Sequence, residues 1–176
     1  MSATVKKIWN VVTSILVVFV VIAAILLVGV RIIGLQPYSV LSGSMEPELH
    51  VGALVYVKEC EPEDVKPGDT ITFVLNEDLD IATHKVDSID TENKAFYTYG
   101  IANKDENGDY IMDGGTHFNN LIGKPVFSIP YLGYISAWVM SPPGSYIAIG
   151  GLVLLFIVAF IPDIISKVSK KKEKQQ

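Results

Sequence analysis

The chain has 176 residues, enough for one ordinary domain plus short appended segments, and its mean hydropathy of +0.37 is high for a soluble protein. Its formal charge is −5, and it has no basic stripe of the kind that tracks a phosphate backbone, which excludes nucleic acid as a partner. One cysteine, Cys60, leaves no internal disulfide, and three scattered histidines have no metal-ligand spacing, so neither metal nor other cofactor is implied.

The first predicted element is apolar. Val11 to Val30 is a run of twenty uncharged residues, and at about 1.5 Å per residue it spans roughly the 30 Å of a bilayer core. The boundaries expected are a cytoplasmic N-terminus over 1–10 and a transmembrane helix over 11–31. A cleaved leader is the alternative, but its apolar core is ordinarily about 7–15 residues and ends at a small-x-small site. The segment after this run, VGVRIIGLQP, has no such site. A second apolar run, Tyr146 to Ile161, is shorter, and extending it to Ile165 takes in Pro162 and Asp163. It predicts a second transmembrane helix over 144–165 and a basic cytoplasmic tail over 166–176. Lys6 and Lys7 precede the first run, and Lys167, Lys170, Lys171, Lys172 and Lys174 follow the second. Positive flanks favour the cytoplasm, so both ends are expected inside, with 32–143 outside.

The outer segment carries seventeen Asp and Glu against six Lys over 33–145, a formal charge of −11. Solubility is sufficient reason for that surface. The segment reads as mainly β. Leu54 to Val57, the stretch from Thr70, DIATHKVDSID and AFYTYG are strand candidates, the last two joined through a TENK turn. NKDENGDYIMDGG reads as a polar loop, and IGKPVFSIPYLGYIS as strand returning to the membrane. Outside the two apolar runs no helical period lasts beyond two turns.

Ser42-Gly43-Ser44-Met45-Glu46-Pro47 is the chemically informative stretch. Gly43 permits positive φ or close approach of a substrate, and Pro47 stiffens the turn, so a serine there presents its hydroxyl in a defined direction. A serine hydroxyl needs a base. In the third strand side chains alternate, placing Ala82, His84 and Val86 on one face and Thr83, Lys85 and Asp87 on the other. His84 and Lys85 therefore cannot both meet Ser44, and the apolar neighbours favour His84. A neutral imidazole accepts a proton at pH 7, whereas a lysine base needs deep burial. His50 and His117 read as solvated.

YSVLSGSMEPEL, placed soon after an apolar helix, resembles the nucleophile box of type I signal peptidases, and ATHKVDSI resembles the histidine box of their endoplasmic-reticulum type, found also in archaea and some spore-forming Gram-positive bacteria. The resemblance implies a signal-peptidase-like β fold carrying a membrane-bound serine endopeptidase that removes signal peptides from exported preproteins. It makes Ser44 the nucleophile, His84 the base and Ser42 an oxyanion donor. The family's Gly-Asp-x-Asn box is matched at Gly100 and Asn103, with Ile101 in place of the first acid. Its second acid falls near Asn107, so Asp109 is expected to meet the imidazole, with Asp105 and Asp113 next. VKPGDTITF matches a further structural motif. A Ser/Lys dyad through Lys85 and a non-catalytic surface module are the rival readings.

Overall fold

The computed structural model describes residues 3–76 and 80–173. Lys174, the end of the basic tail and the first two residues lie outside the described residues. Contacts divide the chain into two units, residues 27–137 and the flanking segments 1–26 with 138–176.

In the flanking unit, α1 (Ala3–Leu27) is the helix that the first apolar run predicts. It begins eight residues before the expected 11–31 boundary, because Lys6, Lys7, Trp9 and Asn10 suit a helix as well as they suit a flank. It ends at Leu27, where a short 3-10 turn over Gly29–Ile33 takes over. Among the described residues α1 is the one helix long and apolar enough by itself to cross a membrane. The second run is helical as expected, in α3 (Gly144–Glu173). The helix passes through Pro162, and its stretch Gly144–Ala159 is long and apolar enough to span only when joined to the preceding helix, from which it is bent by 92°. A second complete span is therefore not established by this helix.

The β unit is one eight-stranded, antiparallel sheet. Its strands are β1 (Leu35–Ser39), β2 (Leu54–Lys58), β3 (Thr70–Val74), β4 (Ile81–Asp90), β5 (Ala95–Lys104), β6 (Tyr110–Met112), β7 (Thr116–His117) and β8 (Leu121–Ile129). The order across the sheet is β1-β2-β8-β3-β4-β5-β6, with β7 also on β5. Val65, Ile71, Phe73, Val86 and Phe96 form one core cluster, against which Cys60 and Ile89 pack. Strict alternation puts Ile89 with Lys85; a bulge at Asp87, between the Val86–Thr98 and Ser88–Tyr97 pairs, shifts the parity and returns Ile89 to the core. Leu54 and Tyr56 of β2 pack with Leu27 and Val30 in a second cluster, and Tyr56 stacks on Phe127 with centroids 4.4 Å apart.

Two stretches differ from the sequence reading. Residues 132–135 are not strand but the start of α2 (Leu132–Met140), which docks on the loop between β1 and β2 through the Gly133 N–H to Gly52 carbonyl bond of 2.9 Å. Gly52 has φ of 82°, and a Cβ there would lie 1.9 Å from the Tyr134 ring, so only glycine fits. The predicted polar loop over 103–115 is largely a hairpin, in which β5 runs on to Lys104 and β6 returns beside it in the register Tyr99–Met112 and Lys104–Tyr110.

Candidate active site

Ser44 lies on the loop joining β1 to β2. The Met45 side chain beside it is buried at 2% exposure, and the loop closes on itself through Glu46 N–H to Gly43 O at 3.0 Å and Leu49 N–H to Met45 O at 2.9 Å. The Glu46 carboxylate accepts from Val51 N–H at 3.1 Å and pairs with His50 Nδ1 at 2.5 Å. Those two bonds, the backbone one foremost, hold its carboxyl below the usual range. Gly43 is not among the glycines with positive φ, so its backbone freedom is not what shapes the turn. The glycine that matters to Ser44 is on another strand. A Cβ at Gly100 of β5 would lie 2.8 Å from Ser44 O and 2.9 Å from Ser44 Cβ. Its absence lets the loop seat on β5, where Ala102 N–H donates to Ser44 O at 2.9 Å.

His84 comes from β4. It is 8% exposed, on the same face as the buried Val86, and its ring lies edge-on to Phe73. His84 Nε2 is 3.0 Å from Ser44 Oγ. On the other side of the ring, His84 Nδ1 is 2.5 Å from Asp113 Oδ2. A carboxylate only accepts, so Nδ1 carries the proton and donates to Asp113, leaving the Nε2 lone pair to accept from the Ser44 hydroxyl. Thr98 Oγ1 also donates to Asp113 Oδ2, at 2.6 Å.

The acid at the imidazole is thus Asp113 and not the expected Asp109. Asp105 and Asp109 occupy the tip of the β5–β6 hairpin, where the Asp105 carboxylate accepts from Asn107 N–H and Asp109 N–H at 2.8 and 2.9 Å and is held below its usual range by those bonds. The return strand carries Asp113 back level with Thr98, whose carbonyl accepts the Asp113 N–H at 2.8 Å. The missed signal was Asn107-Gly108, a dipeptide that marks hairpin turns.

Ser42 Oγ lies 3.3 Å from Ser44 Oγ, which brings a second hydroxyl to the nucleophile. Lys85 points away from this cluster and donates to Glu48 Oε1 at 2.9 Å; that carboxylate holds its ammonium above the usual lysine range. His50 stays on the exposed loop, and His117 accepts the Asn119 N–H at 3.1 Å at the start of a short turn. Cys60 is half-buried against the core, and burial pushes its thiol up.

Ser44 and His84 open onto a groove of about 990 Å³ lined by Tyr38 to Met45, Leu49, Val55, Leu75, Asp80 to Thr83, Ala102 and Asn103. That is at the upper end of ligand-pocket volumes, roughly 300–1,000 Å³. Its walls include β1, the first strand in the sheet order, and the start of β4. A hydroxyl, an imidazole and a carboxylate in line beside such a groove can perform acyl transfer on an extended chain.

Comparison with known proteins agrees with that chemistry. A family model described as signal peptidase, peptidase S26, matches residues 13–111, a stretch that holds Ser42, Ser44, His84 and Gly100 and stops two residues before Asp113. Signal peptidase I W of Bacillus subtilis (strain 168) is 33% identical over 89 residues, covering 46% of this chain and 46% of that relative. The matched stretch spans a little under half of the relative's length.

Proposed function

Because the chain belongs to the signal peptidase family, peptidase S26, we propose that it is a membrane-bound serine endopeptidase that removes signal peptides from exported preproteins. The observation that carries this reading is the 3.0 Å approach of Ser44 Oγ to His84 Nε2. Ser44 Oγ attacks the scissile carbonyl while His84 Nε2 takes its proton. The tetrahedral oxyanion is met by the Ser44 N–H and the Ser42 hydroxyl, a kind of interaction that contributes about 2.7–4 kcal/mol per donor. The C–N bond then breaks as Nε2 returns the proton to the leaving amine, and a water activated by the same nitrogen hydrolyses the acyl-enzyme. Asp113 holds the ring in the required tautomer and balances the imidazolium that forms at each step.

The substrate binds extended along β1 by strand addition, with its small residues before the cut in the shallow apolar groove. α1 anchors the chain in the bilayer with α3 as the second span, both ends cytoplasmic and the β unit on the outer face, where preproteins emerge. The Ser/Lys reading is not favoured, because Lys85 is engaged by Glu48 and kept protonated by it.

The test is preprotein cleavage by the full-length protein in detergent. His84→Ala is expected to lower kcat by about 10⁴–10⁶-fold, the range seen when one member of a serine triad is lost, and Lys85→Ala by no more than about threefold, as for an exposed ion pair. An active His84→Ala beside an inactive Lys85→Ala assigns the base to Lys85 instead.

A further inference from the structure

We propose that Thr98 is a positioning residue of this site: its buried hydroxyl holds Asp113 in the orientation that aims His84 at Ser44. The inference rests on the peptidase reading above. Thr98 has no exposed surface. It grips Asp113 at two points, through Oγ1–H to Asp113 Oδ2 at 2.6 Å and through its carbonyl, which accepts the Asp113 N–H at 2.8 Å. The oxygen it holds is the one that accepts from His84 Nδ1. Two donors therefore converge on one carboxylate oxygen from two neighbouring strands.

The arrangement follows from β5. Phe96, Thr98 and Gly100 alternate onto one face of that strand. Phe96 fills the core, Thr98 holds the acid, and Gly100 leaves room for Ser44. Thr98 is paired with Val86, two residues from His84. A β-branched side chain on a strand has few rotamers, so its hydroxyl is a stiff arm. Asp113 follows a three-residue strand, β6, and its carboxylate needs such an arm. Without the hydroxyl it retains His84 as its partner but can swing with the ring, and the imidazole loses its fixed aim. Thr72 supplies a control. It is equally buried, but its hydroxyl bonds the Thr83 hydroxyl, at 2.8 Å, and not Asp113.

The test is cleavage of a preprotein with a small-x-small site by the full-length protein in detergent, with melting temperatures measured alongside. Thr98→Val is expected to lower kcat about tenfold to hundredfold while KM stays within about twofold, since a hydrogen bond to a charged group is lost away from the substrate. Thr98→Ser restores kcat to within about threefold, and Thr72→Val lowers the melting temperature without lowering kcat. Added to Asp113→Asn, Thr98→Val changes kcat less than about twofold, because residues acting as a unit are non-additive. Should Thr98→Val not fold, Thr98→Ala replaces it with the same expected loss. A wild-type kcat in the valine variant overturns the inference, as does a serine variant that loses as much as valine, or an undiminished loss on the Asp113→Asn background. Ser44→Ala, run in parallel, separates the two levels: if it still cleaves, the peptidase reading itself fails.

Discussion

A single ring nitrogen decides what this site can do. In the proposed mechanism His84 accepts the Ser44 proton at Nε2 only while Nδ1 holds its own proton, and the group placed to keep it there is Asp113. Asp113→Asn offers an amide in place of a carboxylate, and the amide donor can bond Nδ1 and drive the proton to Nε2. Cleavage is therefore expected to fall about 10⁴-fold in kcat, as it does for the wrong tautomer in other triads, while Asp109→Asn stays within about twofold, as for surface substitutions. Equal losses from the two variants, measured on the same preprotein, contradict the assignment. The meeting of Ser44 with His84 was legible through the resemblance of YSVLSGSMEPEL and ATHKVDSI to the family's two boxes, since the residues alone offered only a Ser-Gly turn and a strand whose alternation sets His84 with Val86. Asp113 was not, because its place depends on a fold-back. Counting forward from Gly100 lands on the hairpin tip, whereas the Tyr99–Met112 pairing brings the return strand to the imidazole.

At the scale of elements, one side-chain tie between strands titrates. Asp69 opens β3. Its carboxylate accepts from Lys66 N–H at 2.9 Å and from Lys124 Nζ, on β8, at 2.6 Å. The Lys124 bond is the chief reason its carboxyl lies below the usual range. A group with a depressed folded-state pKa stabilises the fold above its unfolded value, about 3.9 for Asp, and that contribution is lost as pH falls through the lower folded value. The Asp69→Asn variant is thus expected to melt below the wild type at pH 7, with the gap closing below about pH 4. A gap that widens on acidification contradicts this. The strands from β2 to β5 were readable from β-branched and aromatic runs bounded by turn residues. α2 was not, because Leu132 to Ile135 is as apolar as the strand before it, and what makes it helical is its docking on Gly52, a contact distant in sequence.

For the whole molecule, the two units follow different physical rules. The β unit has a buried apolar core, while α1 exposes apolar side chains along its length and is long and apolar enough to cross a bilayer. The long first run was legible because twenty uncharged residues have few other uses. The second was less so, because Pro162 and Asp163 interrupt it near its end and its stretch Gly144–Ala159 does not pass as a span by itself. What unites the molecule functionally is the claim that Ser44 attacks and His84 activates it. The direct measurement is mass spectrometry of the full-length protein after reaction with a serine-reactive organophosphonate, with the rate of adduct formation followed in each variant. The account predicts one adduct on the peptide containing Ser44, absent in Ser44→Ala and slowed by about 10³-fold or more in His84→Ala. An adduct that forms at Ser44 as fast without His84 as with it, or preprotein cleavage that persists in Ser44→Ala, contradicts it.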